Sequence, residues 1–417
     1  MPGIASTFPS VTPMSPRCHS DRGRRRPGDA PLTSAASRLT AGHDRLCPRP
    51  RCTTLSGVIR WRRGTVEEVR REWPGAVELA VSIDGDGTCR ALAYPALVGR
   101  PEAGDTVLLN TTALAMGLGT GGYAMVVAIP DRLPPDPSGP GHLVKARYTP
   151  LQATVLGADE QDSPHHGVLR DADSVDGMPV VVADLHSALP PILAALLAER
   201  PSTRVVYVMP DGGALPSWFS MSIARLRDAG ALAATVTVGQ AFGGDLETVT
   251  VHTGLLAARL VLNADVAVVA QGPGNLGTGT RWGFSGVTAG EALNAASVLG
   301  GRPVGTLRVS QGDGRERHLG VSHHSLTAYG RVALAAADIP VPELGGEFGA
   351  RVAAGAAPLG DRHRLVPVAV DGLRDVLGAA EKDWGVRLST MGRRLDEDLA
   401  YFLTAAAAGR HTAALLA

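Results

Sequence analysis

The chain has 417 residues, 40 Lys plus Arg against 40 Asp plus Glu, and 44% hydrophobic residues, enough for full cores in about two or three domains. A net charge of zero argues against a dedicated nucleic-acid binder and against charge-driven attachment to anionic membranes, both of which need a basic excess. The balance is uneven: residues 1–57 hold nine Arg and three Asp, which leaves 31 basic and 37 acidic residues in the remainder.

Residues 1–57 are rich in Pro, Ser, Thr and Arg, as in Arg22-Gly-Arg-Arg-Arg-Pro27, and have no Lys, no Glu and no apolar period. That is the composition of a disordered tail; it also fits a start codon placed too early, with Val58 at a GTG start. The tail holds Cys18, Cys47 and Cys52, so only Cys89 falls in the expected folded part and neither a disulfide framework nor a cysteine zinc site is available. A reducing cytoplasm is the expected location. No run of about 18 uncharged apolar residues occurs, since even residues 255–270 contain Arg259, Asn263 and Asp265.

From residue 58 to 129 short β-rich runs alternate with turn residues, and Asp84-Gly85-Asp86-Gly87 sits between two runs as a hairpin turn would. Five such runs predict a small β-barrel, SH3-like or OB-like. A linker and connecting segment covers 130–177, beginning with the Pro- and Gly-rich Pro130 to Gly141. Over 178–345 apolar runs alternate with helical periods: Val180 to Ala183, Val205 to Met209, Ala234 to Val238, Val266 to Ala270 and Val304 to Val309. The pattern predicts an α/β domain, a Rossmann-like and mostly parallel sheet with flanking helices. Ser187 is the expected cap of a helix whose first turn takes Pro190. Pro216 suits the first turn of another, Thr288-Ala-Gly-Glu291 reads as a capping box, and Gly230 and Gly300 mark helix ends. A C-terminal extension, 346–417, is expected to pack amphipathic helices onto this domain.

Parallel sheets bind ligands beyond the carboxyl ends of their strands, and here those ends are unusually polar. Asp184-Leu185-His186-Ser187 follows the first strand, Asp211-Gly212-Gly213 the second, and Gln240 with Asp245 and Glu247 the third. The fourth leads into Gln271-Gly272-Pro273-Gly274-Asn275-Leu276-Gly277-Thr278-Gly279-Thr280. The fifth carries Arg308 and leads into Asp313, Arg315, Arg317 and His318, then His323 and His324.

Gly272, Gly274 and Gly277 satisfy GxGxxG, but the next helix starts near Thr288, about ten residues later, and no acid stands at the usual ~20-residue spacing. A nicotinamide cofactor is therefore disfavoured and the cofactor stays open. An extended loop that offers backbone N–H groups, Asn275, Thr278 and Thr280 to a phosphate or carboxylate competes with a plain crossover loop. Asp184, His186, Asp211, Asp245, Glu247, His318, His323 and His324 carry ligand atoms suited to a divalent metal, yet their spacing matches no metal motif. Arg308, Arg315 and Arg317 are guanidinium groups suited to an anion, with a histidine beside them for proton transfer; the competing reading is a surface loop paired to Asp313 and Glu316. No Gly-x-Ser-x-Gly elbow or accompanied cysteine marks a nucleophile.

Several strings resemble a bacterial family, found in actinobacteria and Gram-positive relatives, that is described only as a domain of unknown function. They include Gly117-Leu-Gly-Thr-Gly-Gly-Tyr123, Arg147-Tyr-Thr-Pro-Leu-Gln152, Tyr207-Val-Met-Pro-Asp-Gly-Gly-Ala-Leu-Pro216, Gly239-Gln-Ala-Phe-Gly-Gly-Asp-Leu-Glu247, Ser322-His-His324 and Thr390-Met-Gly-Arg393. The resemblance spans about residues 58–410 and implies no activity. On the residues alone, the expected function is an enzyme that binds a phosphorylated or carboxylated small molecule. His186, His318, His323, His324, Asp184 and Asp211 are its candidate catalytic groups, and Gln240, Asp245, Glu247, the glycine loop, Asp313 and the three arginines its binding groups. The alternative is a non-catalytic scaffold or regulatory module whose barrel binds a partner. The oligomeric state is left open.

Overall fold

The computed structural model describes residues 58–119 and 121–416, so the expectations for residues 1–57 lie outside the described residues. Five strands, β1 (Trp61–Trp73), β2 (Ala76–Ile83), β3 (Gly87–Ala93), β4 (Thr106–Asn110) and β5 (Ala124–Ala128), close into a barrel in the order β1-β2-β3-β5-β4. Gly85 and Gly87 turn β2 into β3 with positive φ of 77° and 78°, where a side chain would be strained. Register shifts between Val66 and Glu68 and between Val69 and Arg71 bend β1, so that one strand pairs with β2 and also closes onto β4. β3 and β5 run parallel, the OB-like arrangement of the two expected. Val66, Leu79, Val81, Val107, Leu109 and Val126 fill the interior.

Beyond the barrel, β6 (Pro179–Ala183), β7 (Val205–Met209), β8 (Ala234–Val238), β9 (Leu246–Thr248), β10 (Val266–Ala270), β11 (Arg302–Gly305), β12 (Asp338–Pro342) and β13 (Arg364–Val368) form one sheet. Its order is β9-β8-β7-β10-β6-β11-β12-β13, and every pairing is parallel. The central strands are covered on both faces, so β6, β7 and β10 read as unbroken apolar runs and fall where the sequence predicts them, as does β8, in which Thr235 and Thr237 alternate with Val. The fifth expected run splits. β11 ends at Gly305, while Val309–Ser310 pairs with Gly320–Val321 in a separate ribbon that carries Arg308 away from the sheet.

Helices α1 (Leu189–Glu199), α2 (Met221–Asp228), α7 (Leu373–Trp384) and α8 (Leu399–Ala414) pack on the face presenting Val181, Ala183, Tyr207, Val268 and Ala270. The other face presents Val180, Val182, Val206, Val208 and Val269 to α3 (Val251–Leu260), α4 (Thr288–Val298) and α6 (Gly346–Ala356). The short α5 (His323–Thr327) leads into a π-helical turn, Ala328–Val332, on that second face. β6 thus feeds a helix on one face, while its neighbours β10 and β11 feed helices on the other. The chain diverges above β6, where such sheets ordinarily bind ligands, and leaves there a narrow crevice of about 10 Å3 lined by Asp184, Gln271 and Thr288 among others.

Several local expectations are corrected. Ser187 caps no helix; its hydroxyl bonds Tyr401 Oη at 2.7 Å and Thr390 Oγ1 at 3.1 Å. Pro216 precedes a 3₁₀ turn, and α2 starts later, capped by Ser220 Oγ, which accepts from Ile223 N at 3.1 Å. No capping box forms at Thr288, whose hydroxyl donates to the Ser285 carbonyl. Gly230 and Gly300 do end α2 and α4, at φ of 69° and 67°. α8 is not amphipathic: it is buried nearly all round, between α1 and the sheet. A Cβ on Gly409 would fall inside the contact distance of the Ile192 carbonyl oxygen of α1. Gly409→Ala is therefore expected to cost about 1–3 kcal/mol, seen as a lower urea midpoint; an unchanged midpoint would mean that the two helices separate freely.

The described residues belong to one compact unit. Trp73 of the barrel donates its indole N–H to the Trp218 carbonyl at 2.7 Å, and Trp218 packs against Tyr94 and Phe242. Among the described residues no helix is long and apolar enough to cross a membrane.

Candidate functional site

The crevice above β6 is built around Asp184, the first residue after that strand, which is buried and whose Oδ2 has no hydrogen-bond partner. Arg308, 3% exposed, faces it at 3.9 Å and is anchored by its own N–H donating to Ser325 Oγ at 2.8 Å. The same guanidinium lies 3.2 Å from His324 Nδ1 and 3.8 Å from Asp313 Oδ2. Asp313 takes Arg315 in a two-pronged pair, at 2.8 and 2.7 Å, and receives Arg393 at 3.4 Å. The Arg315 guanidinium holds the Asp313 carboxyl far below the usual carboxylate range. Asp398, fully buried, closes the network by accepting from Arg393 Nε at 2.9 Å, Ser310 Oγ at 2.6 Å and Gln311 N at 2.9 Å. Arg308, Arg315 and Arg393 are thereby balanced by Asp184, Asp313 and Asp398, and no charge is left over for a ligand.

On this base stand three imidazoles. Ser322 caps α5, its Oγ accepting from His324 N at 3.2 Å, and the same oxygen bonds His318 Nδ1 at 2.7 Å. One serine therefore fixes both the helix start and the His318 ring. The rings of His318, His323 and His324 have centroids 4.5–5.0 Å apart. One nitrogen from each lies within 4.8 Å of the other two, the one such group of three candidate metal ligands among the described residues. Phe284 lies flat on His324, with centroids 3.7 Å apart and planes within 3°. Burial pushes His318 down to about 3, helped by the charges of Arg308 and Arg315, and pushes His323 down to about 4, so both are neutral near pH 7. The Nε2 of His323 is buried and has no hydrogen-bond partner.

The remaining candidates lie elsewhere. His186 is held at both ring nitrogens, by Tyr207 Oη at 3.1 Å and Ser220 Oγ at 2.7 Å, and burial pushes it down to about 4. Asp211 accepts from Gln240 N at 2.8 Å, and Gln240 Oε1 from Arg147 N at 2.9 Å, at the ends of β7 and β8. Glu247 is buried 3.3 Å from Lys145, whose ammonium also donates to the carbonyls of Gly239, Ala241 and Thr248. Asp245 sits at the opposite, amino end of the sheet, where it accepts from Thr235 N at 2.7 Å and Arg227 at 2.9 Å. A cavity of about 830 Å3, lined by Trp218, Arg227 and Asp245 among others, opens on that side and contains none of the imidazoles.

The glycine loop is a hairpin. Gly277 bridges to Phe284, Thr278 N donates to the Gly283 carbonyl at 2.8 Å, and the hydroxyls of Thr278 and Thr280 bond each other at 3.1 Å. Asn275 Oδ1 accepts from Ser285 Oγ and from Gln271 Nε2, which also donates to the Asp184 carbonyl at 2.7 Å. Gly272 lets this loop lie against the 211–215 loop, where Ala214 N donates to the Pro273 carbonyl at 2.8 Å; a Cβ would meet the Ala214 carbonyl oxygen. Gly274, at φ 93°, turns the chain. The loop's hydroxyls and the Asn275 oxygen are thus engaged within the loop, and it brings Phe284 to the imidazoles.

Residues 90–409 match the model of a family described as a protein of unknown function, DUF3866. The chain belongs to the DUF3866 family. No curated protein and no solved structure matches it. The DUF3866 match begins within β3, later than the resemblance from about residue 58 implies, and contains the whole cluster from Asp184 to Asp398. Within it, sequence reasoning passes over Phe284, Arg393 and Asp398 as site residues, and Ser322 enters only as part of a resembling string. Arg393 and the turn before it, Met391-Gly392 at φ 49° and 83°, lie in a resembling string, the one signal that points there.

Proposed function

We propose that the chain is a metal-dependent enzyme acting on a small molecule beside the carboxyl end of β6, with a divalent transition ion, zinc by preference, on His318, His323 and His324. The observation that carries this reading is the convergence of three ring nitrogens within 4.8 Å. Zinc–nitrogen bonds of 2.0–2.1 Å place tetrahedral ligand atoms about 3.3 Å apart, so the rings close by at most about 1.5 Å. Two buried polar atoms without partners support the reading, His323 Nε2 among the rings and Asp184 Oδ2 behind them. A ligating imidazole gives the proton of its other nitrogen to an acceptor. Ser322 Oγ lies 2.7 Å from His318 Nδ1 and Asp184 Oδ2 3.6 Å from His324 Nδ1, so these two would accept from the ligating rings, and the Arg308 guanidinium, 3.2 Å from the same His324 nitrogen, would have to give way toward Asp184. Three protein ligands leave a fourth position for water, which a zinc ion makes acidic enough to attack an ester or amide carbonyl or a phosphoryl group.

Purified protein equilibrated with zinc and desalted is expected to retain about one ion per chain by mass spectrometry of the elements, and His323→Ala to retain none. The His323 ring has no hydrogen-bond partner at its buried Nε2, so the variant is expected to melt within about 2 °C of wild type. Zinc retained by His323→Ala, or by neither protein, sinks the assignment.

A further inference from the structure

We propose that this site takes an organic anion, phosphorylated or carboxylated, with an apolar body: Arg317 holds the anion and the 277–284 hairpin covers the apolar part. The inference rests on the metal-centre reading for the position of the reacting group. It starts from the charge inventory. Arg308, Arg315 and Arg393 are neutralised by buried carboxylates, and Arg351 pairs with Glu316. Arg317, in the same segment, makes no ion pair and no hydrogen bond among the described residues, and Arg281 on the hairpin makes none either. Both are exposed, so their charges are free beside a cluster whose own charges are balanced.

The position of Arg317 is defined. Its Nη2 lies 3.6 Å from where a Cβ on Gly279 would stand, an ordinary contact distance, so the guanidinium lies along the hairpin backbone; the glycine itself is required by its φ of 80°. Arg317 directly precedes His318, and the hairpin it lies along ends in Phe284, stacked on His324, so the guanidinium stands next to the imidazole cluster. A guanidinium so placed meets a phosphate or carboxylate with two parallel hydrogen bonds. The hairpin supplies the second half of the recognition. Leu276 and Trp282 are 76% and 55% exposed on a loop whose shape is fixed by its own hydrogen bonds. Large apolar side chains presented on an ordered loop beside a polar centre are what an amphiphilic ligand covers.

The test is calorimetric titration of wild type, Arg317→Ala and Trp282→Ala, each zinc-loaded and metal-free, with phenylphosphonate, benzoate, methylphosphonate and the neutral zinc ligand imidazole. Arg317→Ala is expected to weaken phenylphosphonate or benzoate at least about tenfold while imidazole changes less than about twofold. Trp282→Ala is expected to abolish a preference for phenylphosphonate over methylphosphonate. A wild-type protein that binds neither aromatic anion, with or without zinc, overturns the proposal, as does an Arg317 variant that weakens imidazole equally. A protein that takes no zinc yet binds phenylphosphonate through Arg317 keeps this inference and loses the metal centre. One that takes zinc and imidazole but no anion does the reverse.

Discussion

Asp398→Ala is expected to destabilise the fold by about 3–5 kcal/mol, because it strips a fully buried carboxylate from a closed network of charges. Ser310 Oγ, the Gln311 and Gly312 N–H groups and Arg393 Nε all donate to this one side chain. Without it, three guanidinium groups face two carboxylates, and two backbone donors of the 311–312 turn lose their acceptor. Arg393 keeps some access to water, which sets the loss toward the lower end of that range. Asp398→Asn retains an acceptor for part of the turn and is expected to cost about half as much. Guanidinium titration followed by circular dichroism measures both, and a loss under 1 kcal/mol for the alanine variant would show that Asp398 does not organise the cluster.

His186 should make a separable contribution to acid lability. Burial holds its folded pKa at about 4, against an ordinary value near 6.5, so between these pH values the unfolded chain takes up a proton that the native site refuses. The stability that follows is complete above pH 6.5 and is lost as the pH falls through 4. A separation of 2.5 units corresponds to about 3 kcal/mol. His186→Gln keeps a polar group between Tyr207 and Ser220 but cannot titrate, so its stability should fall less steeply over this window. The difference between the two curves isolates His186 from the other buried imidazoles; parallel curves would show that the native site accepts the proton.

The strands of the two-sided sheet were legible because burial on both faces leaves an unbroken apolar run, as in Val205–Met209 and Val266–Ala270. Three strands were not. β9 has three residues, one of them Glu247; β13 lies at the edge, where Pro367 costs no hydrogen bond; β12 carries Pro340 and Pro342 yet meets β11 through a single residue pair. For the site, the residue types were legible and their commitments were not. Arg308 and Arg315 look like anion binders until Asp184, Asp313 and Asp398 are seen to neutralise them together with Arg393. His186 resembles His323 in sequence terms, but one ring is held at both nitrogens and the other has a bare one. GxGxxG identified a loop that approaches closely, though what it approaches is the 211–215 backbone. Asp398 lies more than eighty residues beyond Ser310, a distance that no local pattern spans.

The packing of α8 against α1 has a kinetic side. Eight consecutive residues of α1, Leu189 to Leu196, are buried, and the helix that covers much of them arrives some two hundred residues later. Until then the apolar first two turns of this helix, with Pro190 and Pro191 near its start, have only the sheet face to hide against. Folding must therefore close a very long loop before its most hydrophobic segment is shielded, which slows the search and leaves that segment open to self-association in the meantime. Refolding yield is therefore expected to fall as the concentration of unfolded chain rises.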